Sequence, residues 1–123
     1  MRILLVEDFP SDVELIRLEL MSEWPALQLA CAATVTELRE ALRQPPPDAV
    51  LCDSRLPGIH GAEILDLVAN AWPQTPLVFC VGAAEGDPLI DAALPRAAGL
   101  VDKNRLQSLV PVLRQVFAAR RRD

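Results

Sequence analysis

The chain has 123 residues, 51% of them hydrophobic and 24% charged, which suits one globular domain rather than a disordered segment. Its formal net charge of −5 argues against direct binding of nucleic acid, because phosphate backbones select basic surfaces. No apolar stretch approaches the roughly 20 residues that cross a bilayer, and acids follow the first apolar run, so we expect a cytoplasmic protein without a membrane span or signal peptide.

Five short apolar runs predict β-strands. They are continuous or nearly continuous rather than alternating, as the strands of a parallel sheet are when helices cover both faces. In chain order, strands 1 to 5 are predicted at 3–6, 27–32, 49–52, 77–81 and the shorter 100–101.

The segments between these runs carry helical patterns. Ser11–Glu14 and Thr34–Glu37 have the capping-box pattern and begin helices 1 and 2. Helix 3 is predicted over 61–72. Asp87-Pro88 begins helix 4, and Pro95 ends it after about two turns.

Helix 5 carries the strongest amphipathic pattern in the chain, with apolar residues at helical spacing from Leu106 to Phe117. Asn104 with Gln107 would cap it, but Pro111 would then lie in the helix interior. Either the helix kinks at Pro111, or it begins later with Ser108 as its N-cap.

Strands that alternate with helices predict a doubly wound α/β fold, a (βα)5 unit with helices on both faces of a five-stranded parallel sheet. We predict strand order 2-1-3-4-5, which puts the topological switch point between strands 1 and 3, with a ligand beyond their carboxyl ends. One domain over 1–123 accounts for the chain, and residues from about 118 onward are where a linker would begin.

The cysteines, the histidine and the basic cluster receive ordinary interpretations. Three cysteines, widely spaced inside apolar runs, fit neither a disulfide framework nor a zinc site, and they are read as small hydrophobic side chains. His60 is the only histidine, and we interpret it as an ordinary loop residue. Arg120–Arg122 is interpreted as a basic cluster at a helix C-terminus, where positive charge complements the helix dipole, or as the start of a linker.

Acidic side chains follow the two strands at the switch point. Strand 1 runs into Glu7 and Asp8, and strand 3 runs into Asp53. Carboxylates this close repel one another unless a cation neutralises them, and oxygen ligands favour a hard cation such as Mg²⁺. Asp53 is the best candidate for a nucleophile that forms an acyl phosphate, and Lys103, after the last strand, can bring an ammonium group to the same rim.

These residues resemble the response regulator receiver family of two-component systems. The likeness rests on the acid pair, on the segment Asp53–Gly61 with its D-x-x-x-P-G-x-x-G pattern, and on a lysine about 50 residues later. The resemblance implies phosphorylation of Asp53, and Mg²⁺ bound by Asp8, Asp53 and the main-chain carbonyl of Arg55. It also implies that Glu7 assists largely through water and that Lys103 contacts the phosphoryl group.

The family likeness also implies partners. The phosphoryl donor would be a sensor histidine kinase or a phosphotransfer protein, and an output domain or dimer partner would use the face of helix 4, strand 5 and helix 5. The protein would not be an enzyme beyond catalysing its own aspartyl phosphorylation and dephosphorylation. The chain is either a stand-alone receiver or the N-terminal module of a longer sensor or regulator, in which a kinase activity could reside. The Lys103-Asn104 ending followed by Leu109–Pro111 favours the longer protein.

Three positions depart from the family pattern. Gly82 stands where the family usually has a Thr or Ser that binds the phosphoryl group, with Ala83 beside the phosphate. Leu100 replaces the usual Tyr or Phe, and Asn104 replaces the usual Pro. Both halves of the usual switch are missing, so we hypothesise that the face of helix 4, strand 5 and helix 5 responds weakly or by another route. The side chain of Arg55 either leans over the phosphoryl group or is solvated.

Other functions are weighed against this one. A pseudo-receiver, an interaction module without phosphorylation, is favoured by Gly82 and Leu100 and opposed by the complete set of acids and lysine. A Mg²⁺-dependent phosphohydrolase of the haloacid dehalogenase type would need its nucleophile on strand 1 and a cap domain. A flavin-binding flavodoxin would need hydroxyls and backbone donors after strand 1 instead of two acids.

Overall fold

The computed structural model of the chain describes residues 1–82 and 87–121. The expectations for Ala83 and Arg122 lie outside the described residues. The elements in chain order are β1 (Arg2–Val6), α1 (Pro10–Glu23), β2 (Gln28–Ala32), α2 (Val35–Ala41), β3 (Ala49–Cys52), β4 (Arg55–Leu56), β5 (Ile59–His60), α3 (Gly61–Ala71), β6 (Leu77–Val81), α4 (Pro88–Ala93), β7 (Gly99–Asp102) and α5 (Leu109–Arg121), with 3₁₀ segments at Leu94–Arg96 and Lys103–Ser108.

A five-stranded parallel sheet in the order β2-β1-β3-β6-β7 forms the centre of the fold. The strands β4 and β5 form a separate short hairpin, so β6 and β7 are the predicted strands 4 and 5, and the predicted order is confirmed. Val6 at the end of β1 is paired with Cys52 at the end of β3. The residues that follow them therefore leave the sheet side by side, at the switch point.

The two faces of the sheet each carry a hydrophobic core. Ile3 and Leu5 of β1 point into a core formed with α1 and α5, whereas Leu4 and Val6 point into a core formed with α2, α3 and α4. All four side chains are buried, and complete burial of one aliphatic side chain contributes about 1.5–3 kcal/mol. Helices on both faces explain why β1 is continuously apolar.

The edge strand β2 differs from the expectation that helices cover both of its faces. Gln28, Ala30 and Cys31 are exposed, and only Ala32 is buried. An edge strand has a neighbour on one side only, and side chains as small as those of Ala30 and Cys31 lose little by facing water. The apolar run of strand 2 therefore marks a strand, but not a covered one.

Helix α1 begins earlier than its capping-box pattern predicts. The helix starts at Pro10 after Phe9, which provides no side-chain cap, so the predicted start at Ser11–Glu14 is wrong. Proline at the first helical position has a preset φ and lacks an N–H that would have had no partner there. Pro10 therefore sets the start of α1, and Asp12 lies in its first turn.

Other helix ends follow the sequence more closely. Thr34 Oγ1 accepts the N–H of Glu37 at 3.1 Å, as a capping box requires, although the Glu37 carboxylate bonds to the N–H of Ala33. Helix α5 begins at Leu109, the later of the two expected starts, so Pro111 lies in its first turn. None of the helices within the described residues is long and apolar enough to cross a membrane.

Candidate functional site

Three carboxylates meet where β1 and β3 end. Glu7, Asp8 and Asp53 each offer an oxygen, and these oxygens lie within 4.8 Å of one another. The backbone fixes this arrangement, because the N–H of Asp53 donates to the carbonyl of Val6 at 3.0 Å and the N–H of Glu7 donates to that of Ala32 at 3.0 Å. The sheet thus brings together the acids that the sequence placed at the switch point.

Glu7 is the most deeply buried member of this cluster, with 1% of its surface exposed. Its Oε2 accepts the N–H groups of Asp8 at 3.0 Å and Phe9 at 3.2 Å, which lock the side chain in place. Its Oε1 is buried and pairs with Lys103 Nζ at 2.5 Å. Burial raises the pKa of Glu7 above its ordinary value, and the Lys103 ammonium opposes that rise.

Lys103 follows β7 and reaches the same rim, as predicted. Its Nζ lies 3.1 Å from Asp53 Oδ2 and donates a hydrogen bond of 2.9 Å to Asp12 Oδ2. Burial lowers the pKa of Lys103, but the carboxylates of Glu7, Asp12 and Asp53 outweigh it and hold that pKa above its ordinary value. Lys103 is therefore a permanent cation beside Asp53.

Asp12 is a residue of the site that the sequence alone did not reveal. It lies in the first turn of α1, four residues after Asp8, and contacts Lys103 across 91 positions of the chain. The capping-box interpretation began the helix with Ser11 as its cap, whereas Pro10 at the first helical position starts α1 and places Asp12 in its first turn. Four carboxylates, not three, therefore surround this rim.

Asp53 has two oxygens in different surroundings. Its Oδ1 accepts the N–H of Ser54 at 2.7 Å, while its Oδ2 faces Lys103. The thiols of Cys52 and Cys80 lie buried in the neighbouring strands, and burial raises the pKa of Cys80 to about 12. Burial also raises the pKa of Cys52, so the two thiols remain neutral.

The hairpin of β4 and β5 leads from Asp53 to α3. Arg55 pairs with His60, and Gly58 between the two strands has a φ of 84°, a turn conformation that glycine adopts without strain. A Cβ at Gly61 would lie 2.8 Å from the Ser54 carbonyl oxygen and 3.0 Å from that of Asp53. Glycine at position 61 thus lets α3 begin directly against the peptide of Asp53. The role of the Arg55 carbonyl as a metal ligand stays a prediction.

His60 is not the ordinary loop residue that the sequence suggested. It is 8% exposed and forms the N-cap of α3, where its Nδ1 accepts the N–H of Ala62 at 3.0 Å. Glu63 Oε1 completes the cap by accepting the His60 N–H at 3.3 Å, and His60 Nε2 lies 3.1 Å from Asp87 Oδ2. The interpretation of His60 as an ordinary loop residue is therefore wrong. Neither its cap on α3 nor its contact with Asp87 can be recognised from a single histidine in the sequence.

Gly82 and Leu100, the two departures from the usual switch, lie on the β6 and β7 side of the site. A Cβ at Gly82 would meet only Lys103 Cδ, at 3.8 Å, among the described residues, so position 82 adjoins the ammonium side chain. The Gly82 carbonyl accepts a hydrogen bond of 3.0 Å from Asn104 Nδ2. Leu100 lies in β7 and is 37% exposed.

A family model described as the response regulator receiver domain matches residues 3–114. The chain belongs to the response regulator receiver family. The response regulator protein PilR of Pseudomonas aeruginosa is 32% identical to this receiver domain over 111 residues, which cover 87% of the chain and 24% of PilR. The hydrogenase transcriptional regulatory protein HoxA of Cupriavidus necator is 30% identical over 88 residues, which cover 72% of the chain and 18% of HoxA.

The receiver domain therefore spans less than a quarter of the length of these two curated relatives. Solved structures show the same fold. A CheY-like receiver domain protein from Methanospirillum hungatei matches with a TM-score of 0.84 at 20% identity, covering 98% of this chain and 96% of that one. The signal receiver domain of an HD domain-containing protein from Pseudomonas fluorescens matches with a TM-score of 0.85 at 22% identity, covering 98% and 88%. The α/β receiver fold is thus shared with these two solved receiver domains.

Proposed function

We propose that this receiver domain accepts a phosphoryl group on Asp53 from a sensor histidine kinase or a phosphotransfer protein. The observation that carries this proposal is the placement of Lys103 Nζ 3.1 Å from Asp53 Oδ2, beside carboxylate oxygens that lie within 4.8 Å of one another. A nucleophilic carboxylate, a fixed cation and a set of hard ligands are the parts that phosphoryl transfer to an aspartate needs.

The residues of the cluster fit Mg²⁺. All ligand atoms are oxygens, they lie within 4.8 Å of one another, and Asp8 is exposed, which leaves room for water and phosphate oxygens. Asp8, Asp53 and the main-chain carbonyl of Arg55 would hold the ion, and Glu7 would assist largely through water. When bound, Mg²⁺ neutralises charge on the phosphoryl oxygens.

The side chains divide the chemistry between them. Asp53 Oδ1 is held by the Ser54 N–H, so Oδ2 is the oxygen that attacks phosphorus. An O–P bond forms, the P–N bond of the donor phosphohistidine breaks, and the departing imidazole keeps the electron pair. The ammonium of Lys103 faces the transferred group and stabilises its charge. Attack by water later returns Asp53 and inorganic phosphate, and we propose no other catalytic activity for this domain.

Acetyl phosphate with Mg²⁺ tests the proposal, with mass spectrometry as the readout. We expect one phosphoryl adduct on the wild type, none on Asp53→Asn, and none when EDTA replaces Mg²⁺. Asp91→Asn is the matched control, because Asp91 is an exposed acid on α4 outside the site. An adduct that persists in Asp53→Asn would show that Asp53 is not the acceptor.

A pseudo-receiver is the second candidate, and Gly82 is the observation that favours it. Position 82 carries no hydroxyl to bind a phosphoryl group, and Leu100 carries no ring to respond to one. A wild-type protein that shows no adduct with acetyl phosphate, yet is fully folded, would favour this interaction module over the phosphoacceptor.

We also propose that an output domain or dimer partner contacts the face of α4, β7 and α5. Leu89 of α4 is 55% exposed and Leu100 of β7 is 37% exposed, and apolar side chains at the surface gain by being covered. PilR and HoxA are both several times longer than the region that this chain matches. Leu89→Glu should weaken binding of such a partner without changing phosphorylation of Asp53.

A further inference from the structure

We infer that Asp12 is a positioning residue, which aims the Lys103 ammonium at the phosphoryl group on Asp53. This role has meaning only if Asp53 accepts phosphate, so it rests on the proposed function. Asp12 lies in the first turn of α1, and its Oδ2 accepts a hydrogen bond of 2.9 Å from Lys103 Nζ. The bond joins α1 to the segment that follows β7.

Three carboxylates surround the Lys103 ammonium. Its Nζ lies 2.5 Å from Glu7 Oε1, 2.9 Å from Asp12 Oδ2 and 3.1 Å from Asp53 Oδ2. An ammonium group has three N–H donors, so fixing the direction of two determines the third. With one N–H on Glu7 and one on Asp12, the third faces Asp53.

Without Asp12 the direction of that donor is no longer fixed. Glu7 cannot follow Lys103, because its Oε2 is held by two backbone N–H groups. The lysine stem has free torsions, and the ammonium could then settle between Glu7 and Asp53 in more than one orientation. Interactions with a phosphoryl group depend on such orientation, since a displacement of a fraction of an ångström weakens them.

A purely structural tie between α1 and the segment after β7 is the competing explanation. It predicts a change in stability and no change in how the ammonium is held. The side chain of Asp12 is 25% exposed, and without it the ammonium of Lys103 still has the carboxylates of Glu7 and Asp53 as partners. Asp12→Ala is therefore expected to fold, and Asp12→Asn keeps an oxygen that can still accept the hydrogen bond.

The chain offers a direct probe, because Lys103 is its only lysine. Protein labelled with ¹⁵N-lysine gives one side-chain ammonium signal in NMR spectra. We expect a sharp signal in the wild type, loss of that signal in Asp12→Ala, and partial recovery in Asp12→Asn. Glu14→Gln is the matched control, since Glu14 is an exposed acid of the same helix that pairs with Arg17, and its signal should match the wild type.

The second readout is the affinity for beryllofluoride, a phosphoryl analogue, at saturating Mg²⁺. We expect Asp12→Ala to weaken this affinity roughly tenfold, less than the loss of a donor itself would, and Asp12→Asn to restore most of it. An ammonium signal and an affinity that both stay unchanged in Asp12→Ala would overturn the inference. The wild type would still be phosphorylated on Asp53 in that case, so failure here differs from failure of the proposed function.

Discussion

His60 Nε2 lies 3.1 Å from Asp87 Oδ2, and this contact joins the N-terminus of α3 to the N-terminus of α4. Each partner also caps its own helix, because Asp87 Oδ1 accepts the N–H groups of Leu89 and Ile90. Helix α3 in turn begins against the peptide of Asp53 through Gly61. A continuous set of contacts therefore runs from Asp53 to α4 without a side chain at position 82.

His60→Ala removes both the cap of α3 and the contact with Asp87. We expect the free energy of unfolding to fall by about 1–2 kcal/mol, the usual effect of losing an N-cap acceptor. Urea unfolding followed by circular dichroism measures it. His60→Asn is the control, since it keeps a capping oxygen and should lose less, and an unchanged midpoint in His60→Ala would contradict the capping role.

Asp87 should make a pH-dependent contribution to stability. The hydrogen bond from His60, followed by the N–H groups at the start of α4, holds the pKa of Asp87 below its ordinary value. A carboxyl group whose pKa is lowered by folding stabilises the fold above its ordinary pKa, about 3.9, and loses this contribution as the pH falls through the folded value.

The carboxyl ¹³C titration of Asp87 provides the measurement. We expect its midpoint in the wild type to lie below the ordinary aspartate value of about 3.9. In His60→Ala the midpoint of Asp87 should rise towards that ordinary value. Equal midpoints for Asp87 in the wild type and in His60→Ala would mean that His60 does not hold the Asp87 carboxylate.

The architecture was predictable because it follows from local patterns. Continuous apolar runs marked the strands, although the edge strands β2 and β7 are not covered on both faces. The carboxyl ends of β1 and β3 meet wherever the sheet order is 2-1-3. Glu7 and Asp53 follow those ends directly, so their convergence needed no knowledge of side-chain geometry. Lys103 could be placed on the same rim for the same reason, since it follows β7.

Other features depend on choices that the sequence leaves open. Asp12 belongs to the site because α1 starts at Pro10, which places Asp12 in the first turn of the helix. Ser11 gave a competing signal for a helix start only one residue later. The role of His60 depends on Asp87, which lies 27 residues away. No sequence pattern links these two residues. Contacts of this kind form between helix ends, where periodicity carries no information.

Gly82 provides a test of the missing switch. A Cβ there meets only Lys103 Cδ at 3.8 Å among the described residues, and its backbone has no positive φ, so a side chain fits. Gly82→Thr supplies the hydroxyl that receiver domains usually carry, whereas Gly82→Ala adds a Cβ without it. We expect beryllofluoride with Mg²⁺ to shift the amide signals of α4, β7 and α5 more in Gly82→Thr than in Gly82→Ala or the wild type.

The physical reason is that a ligand shifts a conformational equilibrium only by binding one state better than the other. The threonine hydroxyl would add such a differential contact with the bound phosphoryl analogue. Large shifts across α4, β7 and α5 in the wild type would contradict the hypothesis of a weak response, and would favour a route through His60 and Asp87 instead. The double variant Gly82→Thr with His60→Ala then separates the two routes, because only the route through His60 and Asp87 needs the imidazole.

Removal of Mg²⁺ should expose the repulsion between the carboxylates at the end of β1 and β3. Glu7, Asp8, Asp12 and Asp53 share one rim with the single ammonium of Lys103, so the cluster keeps a net negative charge. We expect Mg²⁺ to stabilise the wild type, by about 2.7 kcal/mol when its concentration is 100 times the dissociation constant.

Asp8→Asn should unfold at a higher temperature than the wild type in EDTA, because one of the like charges is gone, and should gain much less from added Mg²⁺. Thermal unfolding with and without Mg²⁺ measures both effects, with Glu14→Gln as the control, and an equal gain from Mg²⁺ in Asp8→Asn would remove Asp8 from the metal site.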